Sequence, residues 1–213
     1  MRPARHLVVF LRAPRLGRVK SRLAAGIGPS AALRFYRLVS ERLLRELGRD
    51  RRWRCHLCVT PDHAARGPRP WRVDAQYRAQ GGGDLGERMA RVFRSLPPGP
   101  VVIIGSDVPA MTHAHIARAF AALGGSEAVF GPAEDGGYWL IGLRRRPRLP
   151  RPLLRGVRWS SADALADTLA GLPRKMRVAM LETLEDVDDA AAYRRWLKSR
   201  RASDAPAAAA SAR

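Results

Sequence analysis

The chain has 213 residues, of which 46% are hydrophobic and 27% are charged. These values are typical of a single globular domain and exclude a wholly disordered, collagen-like or repeat-only protein. The apolar run at residues 7–11 is far shorter than the roughly 20 residues of a membrane-spanning helix. It also lacks the cleavage site of a secretory signal, so we expect a cytoplasmic protein without a membrane span.

The charge is strongly unbalanced, with 39 basic and 19 acidic residues and a formal net charge of +20. Such an excess favours a polyanionic partner, so nucleic-acid binding is one candidate function. However, 36 of the bases are arginines, and they are scattered along the chain, as arginine-rich codon usage would also produce. We therefore rank a nucleic-acid partner below a small molecule.

Predicted strands and helices alternate along the chain, which indicates an α/β fold with a mostly parallel sheet. Strands are predicted at residues 6–12, 53–60, 73–79, 101–105, from 128, at 138–143 and near 176–181. Helices are predicted at residues 29–48, 84–96 and 112–123, after 160 and from 188. We expect one domain over residues 1–201 and a disordered alanine-rich tail at 202–213.

Two cysteines, Cys55 and Cys58, lie three residues apart in the second predicted strand. This spacing matches half of a zinc site or a redox pair. Side chains three apart on a strand point to opposite faces, however, and no second pair follows. We therefore predict two separate buried thiols.

A loop rich in cations follows the first predicted strand and contains Gly17, Lys20 and Arg22. Cations and backbone amides together can offset the charge of a triphosphate. The glycine spacing is not that of a Walker loop. The alternative is a solvated basic loop in an arginine-rich protein.

Acidic residues follow strands at several places. Asp107 comes directly after the most apolar predicted strand, where it can bind Mg²⁺ or simply end the strand in a turn. Glu134 and Asp135 precede two glycines, which indicates a hairpin turn or an acid that contacts an acceptor hydroxyl. Residues 185–189 contain three aspartates that can cap the last helix, bind a metal, or do both.

Six short motifs occur in order within residues 6–197. They are PRLGRVKSRL at 14–23, GDLGERM at 83–89, IGSDVP at 104–109, GPAEDGGY at 131–138, WS at 159–160 and DVD at 186–188. Each motif is weak alone, but the ordered set resembles the small bacterial transferase family known as domain of unknown function 2064. The chain is also similar to the guanylyltransferases that build molybdenum-cofactor and phospholactate nucleotides.

This resemblance implies a nucleotide-diphospho-sugar transferase fold of the GT-A type, a three-layer α/β/α sandwich, and a Mg²⁺ or Mn²⁺ cofactor. It implies that Asp107 binds the metal, with Asp186 or Asp188 as a second ligand. The nucleotide-binding residues that it implies are Arg12, Gly17, Lys20, Arg22, Gln80, Gly82, Gly83 and Ser106, with Gln80 and the two later glycines near the base. The Asp-x-Asp signature of many glycosyltransferases is reduced here to Asp107 alone, which leaves sugar transfer and nucleotidyl transfer both open.

The leading hypothesis is therefore a Mg²⁺-dependent enzyme that moves a sugar from a nucleotide donor to a small-molecule acceptor. In the alternative reaction, a nucleoside triphosphate donates its nucleotidyl group and pyrophosphate leaves. Positioning and electrostatics would supply most of the catalysis in either case. Asp135 or Glu134 is expected on the acceptor side. A transferase fold that binds ligand without activity is a third hypothesis, and a homodimer is compatible with the sequence.

Overall fold

A computed structural model describes residues 3–145 and 149–204 of the chain. It contains seven strands: β1 (His6–Arg12), β2 (Arg54–Thr60), β3 (Gln76–Ala79), β4 (Val101–Ile104), β5 (Ala128–Pro132), β6 (Tyr138–Leu143) and β7 (Val178–Met180). The α-helices are α1 (Ser21–Ile27), α2 (Pro29–Gly48), α3 (Leu85–Ser95), α4 (His113–Gly125), α5 (Ala164–Ala170) and α6 (Ala190–Asp204).

The strands form one sheet of order β3-β2-β1-β4-β6-β5-β7. Neighbours pair in parallel except β6, which runs antiparallel to both β4 and β5. The connection from β5 to β6 is too short for a crossover helix, so these two strands must form a hairpin. The predicted α/β fold with a mostly parallel sheet is confirmed.

Helices cover both faces of the sheet because its strands are apolar on both faces. Leu7, Val9 and Leu11 of β1 pack in one cluster with residues of α2 and α4. Val8 packs in a second cluster with residues of α3. All four residues of β4 are buried. This arrangement is the expected three-layer α/β/α sandwich.

Cys55 lies in the first of these clusters and Cys58 in the second. Both are free, buried thiols, and burial raises the pKa of each to about 12. The two side chains therefore lie on opposite faces of β2, as their spacing predicts.

The sequence prediction misses α1, which the structure places within the expected polar loop. Leu23 is its one buried residue, so a helix of seven residues shows no apolar periodicity. The last helix begins at Ala190 rather than Asp188, because Asp189 accepts a hydrogen bond from Ala192 N at 2.8 Å and lies before the helix. It continues through Asp204, so residues 202–204 of the predicted tail are helical, and 205–213 lie outside the described residues.

No helix in residues 3–145 and 149–204 combines the length and apolar character that are needed to cross a membrane.

Two buried histidines face each other at the start of β1 and β2. His6 Nδ1 and His56 Nε2 are 3.1 Å apart, and both residues are almost fully buried. Burial, followed by repulsion from the nearby His6 and Arg78, lowers the pKa of His56 to about 4. Both rings are therefore neutral in the folded protein at neutral pH.

We expect acid to destabilise the protein through this pair. The unfolded chain binds a proton at His56 near pH 6.5, whereas the folded chain binds it only near pH 4, so stability that is present above pH 6.5 is lost as the pH falls toward 4. For His56 alone, the free energy of unfolding should fall by about 2 kcal/mol between pH 7 and pH 5. Urea titrations at both pH values should show a smaller loss in His56→Gln than in the wild type. The exposed His113→Gln serves as the control, and equal losses in all three proteins would contradict the assignment.

Candidate functional site

A cleft of about 670 Å³ opens at the carboxyl ends of β1, β2 and β4. Ligands of open α/β sheets bind at this edge. Eight of the residues predicted from the sequence line the cleft: Arg12, Lys20, Arg22, Gln80, Ser106, Asp107, Asp135 and Asp188. They come from distant parts of the chain, which the sheet order brings together.

Three carboxylates meet beside this cleft, which Asp107 and Asp188 line and Asp186 does not. Asp107 follows β4, and Asp186 and Asp188 lie in the segment before α6. A backbone hydrogen bond from Val187 N to Asp107 O, 3.1 Å long, joins the two segments. Oxygens of the three side chains lie within 4.8 Å of one another. The site therefore gathers all three of the predicted metal ligands.

The ammonium group of Lys20 bridges two of these carboxylates. Lys20 Nζ donates to Asp107 Oδ2 at 2.9 Å and to Asp188 Oδ1 at 2.6 Å, and only 5% of its side chain is exposed. The lysine has a left-handed backbone conformation, with φ 50°, at the residue before α1. Burial alone would lower its pKa, but Asp107 and Asp188 outweigh burial and hold the pKa above its usual value. Lys20 is therefore charged and already lies at the acidic cluster.

The pKa values of these carboxylates depend on one another and on the Lys20 ammonium. Burial favours the neutral form of Asp107, but the Lys20 ammonium outweighs it and lowers the pKa of that carboxyl. The pKa of Asp186 is instead raised to about 6 by burial, followed by repulsion from Asp107, Asp135 and Asp188. Lys20 thus offsets only part of the negative charge. A hard divalent cation such as Mg²⁺ fits this all-oxygen donor set.

Three arginines line the same cleft as Asp107 and Asp188. Arg22 Nη1 is 3.7 Å from Asp188 Oδ2, and its side chain is mostly exposed. Arg12 lines the same cleft from the end of β1. The sequence analysis missed Arg88, which also lines the cleft and whose Nε donates to Gly83 O at 2.8 Å. Its place in the GDLGERM motif is the signal that could have identified it.

Tyr36 is a second residue that the sequence analysis missed. Its hydroxyl accepts a hydrogen bond from Arg12 N at 2.9 Å and donates one to Arg12 O at 2.8 Å. The buried ring thus anchors the end of β1, where the cation-rich loop begins. Its helical spacing in α2 resembles that of core residues, so the sequence gives no signal of this role.

The hairpin between β5 and β6 brings Asp135 to the cleft. Asp135 Oδ1 accepts from Gly137 N at 2.9 Å, and Gly136 has φ 83°. A Cβ on Gly136 would lie 2.1 Å from Ala162 O, so only glycine allows this loop to pack on the segment before α5. Ser160, Ser161 and Ala162 of that segment also line the cleft, and the sequence analysis did not assign them.

Other predicted residues lie elsewhere or contact protein. Glu134 is exposed and does not line the cleft, and neither does Gly17. Gly82 and Gly83 line a separate hollow beside α3. Gln80 is buried, and its side-chain amide donates to Leu11 O at 3.0 Å and to Cys58 O at 2.8 Å. That amide therefore joins β1 to β2, and base contacts by these residues remain a prediction.

The fold agrees with that of solved proteins. A crystal structure from Desulfovibrio desulfuricans G20, provisionally described as a nucleotide-diphospho-sugar transferase, is 31% identical, with a TM-score of 0.76 over 87% of this chain and 82% of that chain. Two structures of low identity share the fold alone. One is 4-diphosphocytidyl-2C-methyl-D-erythritol synthase from Anaerococcus prevotii DSM 20548, at 10% identity and TM-score 0.58 over 92% of this chain and 96% of that chain. The other is CMP:2-keto-3-deoxy-manno-octonic acid synthetase complexed with CTP, at 11% identity and TM-score 0.51 over 95% of this chain and 100% of that chain.

No curated protein matches this chain in sequence. Residues 43–161, more than half of the chain, match the family described as uncharacterized protein conserved in bacteria, DUF2064. Together with the 31% identity to the Desulfovibrio protein over most of both chains, this match establishes the relationship. The chain is a member of the DUF2064 family and has the nucleotide-diphospho-sugar transferase fold.

Proposed function

We propose that the protein is a transferase that depends on a divalent cation, Mg²⁺ or Mn²⁺, and takes a sugar from a nucleotide-sugar donor. The observation that carries this proposal is the meeting of Asp107, Asp186 and Asp188 with Lys20 and Arg22 at the ligand-binding edge of the sheet. The carboxylates would bind the metal ion, and the positively charged side chains would bind a diphosphate. The likeness to the Desulfovibrio protein supports this donor class.

The site offers two kinds of group for a donor diphosphate, carboxylates that would hold a metal ion and cationic side chains. The three aspartates would hold the metal ion, which would neutralise charge on the diphosphate oxygens as the donor bond breaks. Lys20 and Arg22 would donate hydrogen bonds to the same oxygens, and Arg12 and Arg88 would add positive charge along the cleft. These groups act by orientation and by electrostatic stabilisation of the leaving group.

Asp135 is the best candidate for the acceptor side. It lines the cleft and is close enough to raise the pKa of Asp186, whereas Glu134 lies outside the cleft. In sugar transfer, an acceptor hydroxyl oxygen bonds to the anomeric carbon while the bond from that carbon to the diphosphate breaks. A nucleoside diphosphate leaves with the bonding electrons, and Asp135 would accept the hydroxyl proton.

Nucleotidyl transfer is the second candidate function. Four cations line one cleft, namely Arg12, Lys20, Arg22 and Arg88, and this number suits the higher charge of a triphosphate. An acceptor oxygen would then bond to the α-phosphorus, and the α–β bridging bond would break to release pyrophosphate. The same aspartates and cations would serve this reaction.

A thermal-shift screen tests both candidates. We expect a nucleotide-sugar with Mg²⁺ to raise the melting temperature by about 5–10 °C at a ligand concentration 100-fold above Kd, and to do so more than either component alone. Stabilisation by nucleoside triphosphates with metal, but not by nucleotide-sugars, would favour nucleotidyl transfer. No stabilisation by either class would contradict the proposal. Assays for released nucleoside diphosphate or pyrophosphate would separate an enzyme from a fold that binds without turnover.

A further inference from the structure

A second large groove lies at the opposite end of the same strands. It has a volume of about 1510 Å³ and runs between the end of α2, the start of β2 and the edge strand β3. Its residues include Arg54 and Gln76, the first residues of β2 and β3, whereas the cleft lies at the carboxyl ends of the strands. The groove is therefore separate from the proposed transferase site.

Arginines dominate this groove. Seven of them line it: Arg45, Arg49, Arg51, Arg54, Arg69, Arg72 and Arg78. These arginines come from a helix end, a turn, a loop and two strands. They lie in two stretches of the sequence, residues 45–54 and 69–78, and the fold brings them together. Seven of the 39 basic residues of the chain thus lie together on one part of its surface.

The positive charge in the groove is largely uncompensated. Glu41, Asp50 and Asp74 are its only acidic lining residues among those that the structure describes, and Asp50 pairs with Arg52, which does not line the groove. Within residues 3–145 and 149–204, none of the seven arginines forms an ion pair. Other surface arginines do form such pairs, for example Arg158 and Arg177. The groove guanidinium groups are therefore available to an external anion.

Part of this lining is held in place by the protein. The Arg69 guanidinium lies over the Tyr77 ring, 5.2 Å from its centroid, and the Tyr77 hydroxyl donates to Trp71 O at 2.7 Å. Arg78 is half-buried, and its Nε has no hydrogen-bond partner although it is fully buried. A buried donor without a partner costs free energy unless a ligand satisfies it. Arg78 thus lines the groove and has a buried donor that no described residue satisfies.

We propose that this groove binds the phosphate backbone of single-stranded nucleic acid. The planar fork of arginine matches phosphate geometry, and several arginines along a groove match a chain of phosphates better than a single small anion. A flexible single strand can follow a concave groove, whereas bending a stiff duplex into it would cost free energy. Trp53 and Trp71 are buried under the groove, so bases find little free aromatic surface for stacking. Binding therefore depends on phosphates and shows little base preference.

Fluorescence anisotropy with labelled 12-nucleotide single strands of mixed sequence, DNA and RNA, tests the proposal. The logarithm of the affinity should fall with the logarithm of the salt concentration, with a slope near −0.7 for each phosphate contacted. The triple variant Arg49→Gln, Arg51→Gln, Arg72→Gln should bind at least about 10-fold more weakly and lower the slope by about 2. The matched control is the triple variant Arg151→Gln, Arg155→Gln, Arg174→Gln, which removes the same charge from exposed residues outside the groove. Its oligonucleotide affinity should fall by about twofold at most.

Besides competition by nucleotide-sugar, four results would overturn the proposal. They are no binding in 50 mM salt, equal losses in the two triple variants, tighter binding of a duplex of the same length, and equal competition by poly-glutamate of the same charge. Melting temperatures of the variants verify that they fold. At a constant Mg²⁺ concentration, saturating nucleotide-sugar should leave the oligonucleotide affinity unchanged, because it would occupy the other end of the sheet. Competition would place the oligonucleotide in the cleft and overturn the groove assignment, whereas failure of the transferase proposal would leave the groove result unaffected.

Discussion

Replacing Asp107 by Asn should abolish metal-dependent nucleotide binding while the protein stays folded. Asp107 contributes one of three clustered carboxylates, and the neutral amide is a much weaker ligand for a hard cation. Lys20 keeps Asp188 as a partner, so its buried ammonium is not left unpaired. We expect metal affinity to fall by more than about 100-fold, since even the loss of groups that only support ligands costs 10–100-fold.

Calorimetric titration of nucleotide with and without Mg²⁺ measures this effect. Asp74→Asn is the matched control, because Asp74 is exposed and lies in the groove at the other end of the sheet. The control should bind as the wild type does. Metal-dependent binding that persists in Asp107→Asn would remove Asp107 from the site, and a lowered melting temperature would instead indicate a structural role.

Replacing Lys20 by Met should change metal and nucleotide affinity in opposite directions. The Lys20 ammonium bonds to two of the same carboxylates that would hold the metal, so the bare site already contains a competing cation. Without it, we expect metal alone to bind about 10-fold more tightly, a modest estimate for the removal of a unit charge in contact with the site. Nucleotide should bind more weakly in the presence of metal, because one donor to its phosphates is lost.

Two measurements separate these effects. Calorimetry with Mn²⁺ alone gives the metal affinity, and titration with nucleotide at saturating metal gives the nucleotide affinity. Lys175→Met removes an exposed lysine and should change neither. In addition, Lys20→Met should melt at a lower temperature in EDTA and gain more stability from Mg²⁺ than the wild type does, because its carboxylates then lack a counter-ion. Unchanged metal affinity would mean that Lys20 and the metal occupy different positions.

The fold was largely predictable because its strongest elements carry local signals. Four consecutive β-branched residues at 101–104 form a buried strand, and the four-residue apolar spacing of α2 ends at Gly48 as expected. A capping box begins α3, since the Asp84 side chain accepts from Glu87 N and the Glu87 side chain accepts from Asp84 N. The short elements α1 and β7 were missed or poorly bounded, because three to seven residues give little periodicity.

The site was predictable only in part because its geometry is nonlocal. Placement after a strand identified Asp107, and the acidic group at 185–189 pointed to Asp186 and Asp188. The contact of Lys20 with two of these carboxylates depends on the order of strands in the sheet, which no local pattern encodes. Tyr36 was missed because it lies on α2, where an apolar pattern accounts for the aromatic residue as part of the core. Arg88 was missed because it lies in the first turn of α3, where the capping residues account for the local sequence.

The antiparallel hairpin that contains Asp135 would allow acceptor specificity to change independently of donor binding. Three of the four cations that would face the donor phosphates come from the first quarter of the chain, whereas the residues beside Asp135 come from the hairpin and the segment before α5. Changes in these two segments would therefore alter which acceptor is recognised while the donor half stays the same. Because Gly136 contacts Ala162 so closely, such changes would have to occur in both segments at once.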